Sequence, residues 1–475
     1  MKVPFHFFLT LGLIALGCAG CAIGPNYQRP VVAAPAFKEA GDWKPAAPAE
    51  LLPRGKWWQA YGDPVLNGLE DRIEVSSNTL RIAEAQYRQV LAAVTSVSSA
   101  LYPTVNATGS VVRDRTAAKT NSPAEIKNSY GAGLAAGWEL DLWGTVRRGL
   151  EAGRAEAAAS SADLESVRLS LHATLAQTYF SLRVADTQQR LYDRTVADYA
   201  RFLQMTKNRY TAGVDTRADV ATAESQLKTA QAQAIDLSLS RAQLEHAIAV
   251  LLGLPPAAFS LAPADLAVQP PAAPGLIPSQ QLERRPDIAG AERRLAAASA
   301  GIGIAQGGYF PVISLSGSAG YQSSAWSSLF SAPNEIWSLG GSALAPLFNA
   351  GKTRAQVAAA RAAYEESLGV YRQTVLTAFQ EVEDNLAAAN LLAREAAVQA
   401  EAVAAAREAA TITLNQYKSG TISYLDVITA QSAQLNAERT AVQLLGRRLN
   451  ASVTLLKAAG GDWRTSGDVH PANVP

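Results

Sequence analysis

The feature that most constrains this chain is an internal repeat. Tyr102-Pro103 returns as Phe310-Pro311, Gly144-x-x-Arg147 as Gly351-x-x-Arg354, and Tyr210-x-x-Gly213 as Tyr417-x-x-Gly420, with Asp219-Val220 matched by Asp426-Val427. The last two pairs stand 207 residues apart. One offset held through segments of different periodicity implies a duplicated unit, because alanine-rich helices of chance similarity would not keep register through the strands between them.

Each copy reads as helix, two strands, then long helices. From Leu66 to Ala100, Leu69, Ile73, Leu80, Ala83 and Tyr87 recur at helical spacing, and Pro103 ends the run. The period then falls to two: Tyr130, Ala132, Leu134, Ala136, Trp138 and Leu140 alternate with Gly131, Gly133, Ala135, Gly137 and Glu139. That length suits a tilted transmembrane strand of about 9 to 11 residues with an aromatic near each end. Val105 to Val112 predicts its partner, and Val312 to Gln322 and Trp337 to Leu347 repeat the pair with parity kept. Thr145 to Arg209 follows with no proline, a helix or end-on pair of roughly 100 Å. A turn at Thr211 to Val214 leads into a second run to Leu252.

The predicted fold is therefore mainly α with transmembrane β, a duplicated helix-strand-strand-helix unit supplying four strands per chain. Four strands with open edges would leave backbone groups unsatisfied in a bilayer. Small barrels begin near eight strands, so two or three chains must close the sheet.

The chain has 475 residues, 48% of them hydrophobic, and a formal net charge of +1. Such a balance argues against nucleic acid as a partner. Past the N-terminus no apolar run approaches the ~20 residues of a spanning helix, which excludes a helical membrane protein. Lys2 and the apolar stretch Phe7 to Leu16 predict a secretory signal over residues 1–20. Gly17-Cys18-Ala19-Gly20-Cys21 then has the pattern of a lipoprotein cleavage site. Cys18 competes, but Ala19 and Gly20 form the better small pair, so Cys21 is the expected lipidated residue. The covalent lipid there is the only non-protein group expected, with no cofactor and no metal. The remaining organisation is a proline-rich strap over 21–55, a first repeat over 56–254, a linker over 255–278, a second repeat over 279–460 and a tail over 461–475. No HExxH, GxSxG or Walker loop is present, and His6, His172, His246 and His470 are scattered, so no enzyme is predicted. Gly301-x-Gly303-x-x-x-Gly307 reads as close helix packing rather than a nucleotide loop.

Arg284-Arg285-Pro286-Asp287-Ile288 followed by Ala291-Glu292, with Trp57-Trp58, Asp63-Pro64 and Gly24-Pro25-Asn26-Tyr27 after Cys21, resembles the hallmarks of the outer membrane factor (TolC) family. The likeness is to its lipoprotein branch of efflux channels, the NodT type. It implies a homotrimer with a 12-stranded barrel in the outer membrane lipid and a 12-helix periplasmic tunnel. A periplasmic adaptor (membrane fusion) protein and an inner-membrane pump are the implied partners, and the duct would passively export small toxic compounds. A duct for type I protein secretion and a pore-free periplasmic scaffold are the alternatives. Arg285-Pro286-Asp287 itself reads as a helix start of structural role.

The resemblance also implies site residues. It puts the turns around Gly213 and Gly420 at the periplasmic tip, where Asp426 matches an aspartate that forms a ring of three, favouring cations. A second family aspartate is Thr429 here. Tyr417 and Asp219 match a pair that links neighbouring helices in the closed state, and Ile422 stands where the family has an assisting arginine. Adaptor docking falls to Arg209, Gly213, Val214, Lys418, Gly420 and Thr421, although a glycine helix stop explains Gly213 and Gly420 unaided. The copies differ at Arg217 against Tyr424 and at Asp215 against Ile422, which locates the gate in the differences.

Overall fold

Two helices of 67 residues set the architecture. In a computed structural model of the chain, residues 22–30, 55–117, 124–271 and 285–461 are described. Cys18, Cys21, the signal segment and nearly all of the tail lie outside them. Helices α3 (Thr145–Thr211) and α6 (Lys352–Lys418) are each 67 residues long, and their successors α4 (Arg217–Leu251) and α7 (Tyr424–Ala458) are each 35. The duplication read from the sequence is thus reproduced residue for residue in these four helices. The strands are β1 (Thr104–Thr116), β2 (Glu125–Leu140), β3 (Val312–Ser323) and β4 (Glu335–Leu344). Ahead of each strand pair stand α1 (Pro64–Ser76) with α2 (Asn78–Ser99), and α5 (Pro286–Gly307).

Several boundaries differ from the sequence reading: β1 runs on to Thr116 rather than Val112, β2 begins at Glu125 rather than Tyr130, and β4 begins at Glu335 rather than Trp337. The single helix expected over 66–100 is broken at Ser77, which is extended (ψ 121°) and buried. A Cβ on Gly253, which lies at positive φ after α4, would collide with the Ser76 carbonyl, so the turn after α4 packs directly on the break. The fourth strand ends at Leu344 rather than Leu347. Pro346 has no N–H to donate to a ladder, which removes the reason to continue.

The chain divides into two units. The first comprises Met1–Val31, Gln86–Ser161 and Gly290–Arg372. Its sheet has the order β1-β2-β3-β4 with every neighbour antiparallel. Its helices pack through glycine: a Cβ on Gly149 or Gly153 of α3 would just touch Val97 or Val94 of α2. Gly303 and Gly307 of α5 leave no room at all, the first against the Ile23 carbonyl and Arg148, the second against Thr145. Gly301 faces open space, so close packing accounts for two of those three glycines.

The start of the strap is fixed in this unit by buried Arg148. Its Nε donates to the Ile23 carbonyl (3.0 Å), and its Nη2 donates to the Gly24 carbonyl (3.2 Å) and to Asn26 Oδ1 (2.9 Å). Tyr27 Oη donates to Glu292 Oε1 at 2.7 Å. Burial first, then the Glu292 carboxylate, pushes the Tyr27 phenol far above its usual range. The Gly24-Pro25-Asn26-Tyr27 run and Glu292 are therefore two halves of one attachment.

The second unit comprises Val32–Ala85, Ala162–Ala289 and Gln373–Pro475. One core gathers Trp57, Trp58 and Tyr61 with Leu66, Ile73, Tyr179, Phe180, Ile248 and Leu456. Asp63 caps α1 through Val65 N and Leu66 N while accepting from Tyr179 Oη at 2.6 Å. Arg285 holds Asp287 Oδ2 and Glu381 Oε2, each at 2.7 Å, at the start of α5 as expected. The proline-rich segment after Pro255 cannot pair with itself and is tied down by side chains. Asp186, with no exposed side-chain surface, accepts from Arg183, Arg241 and Ala264 N, and Arg183 donates onward to the Ala262 carbonyl.

Candidate channel and gate

The sheet has two chemically distinct faces. Register places Tyr130, Ala132, Leu134, Ala136 and Trp138 beside Tyr321, Ala319, Gly317 and Leu315, beside Trp337, Leu339 and Gly341, and beside Val105, Ala107, Gly109 and Val111. The opposite face carries Asn106, Thr108, Ser110, Glu139, Ser314, Ser316, Ser318, Gln322, Ser338 and Ser342, with glycines between. Among the described residues the apolar face lies largely open: Trp337 is 75% and Leu339 82% exposed. Aromatics close both ends of the apolar band. Tyr130 meets Trp326 and Tyr321 meets Phe330 edge-on at one end, while Trp143 stacks near Phe310 and donates to the Pro311 carbonyl (2.7 Å) at the other. Beyond Val111 and Tyr130 the hairpin turns charged, with Arg113, Asp114, Arg115, Lys127 and Glu125. Apolar outside, polar inside, aromatic at the rims and unpaired at both edges is the pattern of a membrane barrel segment. Among the described residues no helix is long and apolar enough to cross a membrane.

Gly133 and Gly320 are paired neighbours on the polar face. A Cβ on Gly320 would lie 2.5 Å from the Ala132 carbonyl oxygen and 2.6 Å from Gly133 Cα. Glycine lets β2 and β3 approach on this face, and these are the strands that join the two copies.

In the second unit the two hairpin turns pack together. Gly213 (φ 74°) and Gly420 (φ 80°) take the left-handed conformation, and a backbone N–H beyond each helix returns to a carbonyl of its last turn. Val220 and Val427, the matched pair from the repeat, are buried together with Tyr199, Leu203, Tyr417 and Tyr424. Asp219 Oδ2 accepts from Thr216 N (2.8 Å) and Thr216 Oγ1 (2.7 Å), and Asp426 Oδ2 accepts from Ser423 N (3.1 Å) and Ser423 Oγ (2.7 Å). Both aspartates therefore cap their own helices. Thr429 Oγ1 donates back to the Leu425 carbonyl.

The expected Tyr417–Asp219 link is not formed. Tyr417, 1% exposed, donates to Asp215 Oδ2 at 2.8 Å. The same carboxylate takes Arg209 Nε at 3.0 and 3.1 Å, and the Arg209 guanidinium lies 4.7 Å over the Tyr417 ring. Asp219 is committed to its cap, whereas Asp215 sits in the turn facing the tyrosine. Ile422, its counterpart in the second copy, packs on the apolar core instead. Burial, reinforced by Asp215, pushes the Tyr417 phenol above its usual range. Arg209 is consequently part of this polar link and half-buried in the turn. Gly213, Val214, Lys418, Gly420 and Thr421 are exposed.

A second polar cluster escaped the sequence reading. His172 of α3 lies between Glu70 Oε2 (2.6 Å from Nδ1) and Glu74 Oε1 (2.8 Å from Nε2), with its ring stacked on Trp58. Burial opposes charge on the imidazole, but the two carboxylates outweigh it and push its pKa up to about 9. The only local signal was Glu70 and Glu74 four apart on one helix. Their partner is about a hundred residues away.

The outer membrane efflux protein family profile matches residues 69–254 and 277–461. The chain belongs to that family. It resembles the pyoverdine export outer membrane protein OpmQ of Pseudomonas aeruginosa, at 32% identity over 86% of this chain and 88% of the relative. The solvent efflux pump outer membrane protein SrpC of Pseudomonas putida is also 32% identical, over 98% of this chain and all of the relative. The solved structure of the outer-membrane channel OprN superposes with a TM-score of 0.84 at 30% identity, covering 93% of this chain and all of that one. This family member is an outer membrane efflux channel, and the amphipathic sheet and long helices are the parts that its function requires. The pore-free scaffold reading is set aside.

Proposed function

We propose that three copies of the chain close their open sheet edges into a 12-stranded barrel through the outer membrane, continued by the long helices of all three as a periplasmic conduit. The observation that carries this is the sheet itself: one apolar face, one polar face, and edge strands β1 and β4 paired on one side only among the described residues. Unpaired edges cost several kcal/mol per group in hydrocarbon, so closure with other copies is obligatory there. The conduit is passive and non-catalytic, anchored by lipid on Cys21. Small toxic compounds are the proposed cargo rather than secreted protein, since relatives are named for solvent efflux and pyoverdine export. A periplasmic adaptor bound at the exposed turns Gly213-Val214 and Lys418 to Thr421, with an inner-membrane pump behind it, completes the path.

At the turns, Asp426 presents a carboxylate that among the described residues only Ser423 engages, and three copies would set a cation-favouring ring. Asparagine keeps an acceptor for the cap while removing the charge. Asp426→Asn is expected to reduce cation over anion preference several-fold in planar-bilayer recordings. Unchanged selectivity removes Asp426 from the constriction.

The Tyr417–Asp215–Arg209 link holds the two hairpins together and is proposed to keep the tip closed. A hydrogen bond to a charged group is worth about 1.5–3 kcal/mol, so Tyr417→Phe is expected to raise the closed-state leak about tenfold or more. Conductance and antibiotic leakage identical to wild type would show that the link is not the lock.

A further inference from the structure

In the first unit, a groove of about 710 Å³ runs between the end of α5 and the first turns of α6. Ile23, Tyr309 and Phe310 border it, and Arg354, Arg361 and Glu365 line it from α6. The three charged residues are exposed, and none has an ion pair or side-chain hydrogen bond among the described residues. Neighbouring arginines of the unit are committed, Arg147 to Asp141 and Arg148 to Glu151. Two free guanidinium groups in one groove are therefore available to an external anion. Arg354 and Arg361 are two turns apart on one face of α6, about 10 Å along the axis, and Glu365 is one turn further.

The level of the groove identifies the anion. Phe310 is separated from the first residue of β3, Val312, by Pro311 alone, so the groove opens at the rim where the apolar band ends. Tyr309, 54% exposed, stands at the same level. Aromatic side chains at such a rim lie among lipid headgroups. Guanidinium groups match phosphate oxygens in geometry and charge. The free carboxylate beside them selects among phospholipids, because it repels a headgroup that is only anionic and accepts one with a primary ammonium, whose N–H groups donate to it as the N–H-free choline nitrogen cannot.

We infer that this groove seats the headgroup of an ethanolamine phospholipid from the leaflet on the helix side, with its phosphate on Arg354 and Arg361 and its ammonium toward Glu365. This rests on the reading that the sheet spans the bilayer. The test is native mass spectrometry of the delipidated full chain, re-offered phosphatidylethanolamine, phosphatidylglycerol and phosphatidylcholine in equal amounts in mixed micelles. Wild type is expected to retain phosphatidylethanolamine about tenfold over the other two. The Arg354→Gln/Arg361→Gln double variant is expected to lose that retention, and Glu365→Gln to shift it toward phosphatidylglycerol. Equal retention by wild type and the double variant, a wild-type preference for another lipid, or no retained lipid would each overturn the inference. The same preparations are recorded in planar bilayers. Wild type that conducts without retaining lipid sinks the groove assignment alone, while wild type that neither inserts nor conducts sinks the reading beneath it as well.

Discussion

His172→Ala is expected to lower the stability of the second unit by about 3–5 kcal/mol, the cost of removing one partner from a buried ionic cluster. Glu70 has no exposed side-chain surface, and its Oε1 already lacks a protein partner among the described residues. Burial already pushes the Glu70 carboxyl up to about 7 against the pull of His172; without the imidazolium it loses that compensating charge and takes up a proton at neutral pH, and Trp58 loses its stacking partner. Arg168 remains on Glu74 at 3.3 Å, which is why the loss concentrates on Glu70. The cluster also has a pH signature. The folded-state pKa of His172, about 9, lies above its ordinary 6.5, so the stability it contributes is fully present below 6.5 and is lost as pH rises through 9. Glu74 is held below its ordinary 4.5, chiefly by its hydrogen bond to His172, so its share fades only as pH falls below that value. Apparent melting temperature measured from about pH 7 to pH 10 is expected to fall more steeply for wild type than for a Glu70→Gln/His172→Ala double variant, in which neither group titrates. Parallel curves would mean that the imidazole is not charged in the folded subunit.

Gly320→Val is expected to abolish barrel assembly. The added Cβ would meet the Ala132 carbonyl and Gly133 Cα, both backbone, at 2.5 and 2.6 Å. Backbone cannot turn aside, so β2 and β3 must separate, and overpacking of this kind exceeds about 3 kcal/mol. These strands are the seam between the two copies, and parting them opens a second pair of edges in the bilayer. Gly109→Val is the control: it places the same side chain on β1, where nothing lies within 4 Å. Heat-modifiable migration and single-channel conductance are expected to vanish in Gly320→Val and to persist in Gly109→Val. A Gly320→Val protein with normal migration and conductance would show that the two strands do not pack as described.

The sheet was legible in the sequence because alternation is a property of each strand alone, and both faces wrote it: Leu134 and Trp138 on one, Gly133 and Glu139 on the other. The long helices were legible for the same reason, since absence of proline and a sustained helical period need no partner. The break at Ser77 was not, because the apolar period runs through it and the turn that packs on it, at Gly253, is distant in sequence. The polar link at the hairpins shows the limit most clearly. Tyr417 and Asp215 are separated by 202 positions, and the family resemblance points to Asp219, whose carboxylate instead accepts from Thr216. The copies differ at Asp215 and Ile422, and that contrast was readable, but which tyrosine the odd carboxylate served was a matter of packing. The signature runs around Gly24, Trp57 and Arg285 stood out as patterns, yet their physics lies in contacts across hundreds of residues, such as Arg148 on the Ile23 carbonyl.

The claim on which the rest depends is that one chain supplies a third of a closed barrel. Native mass spectrometry of the purified protein in detergent measures this directly, because subunit number is read from mass without assuming a function. A single species at three times the mature chain mass, dissociating to monomer only on heating in denaturing detergent, is the predicted result. A monomer or dimer that still conducts in planar bilayers would contradict it, since four or eight strands would then have to close alone.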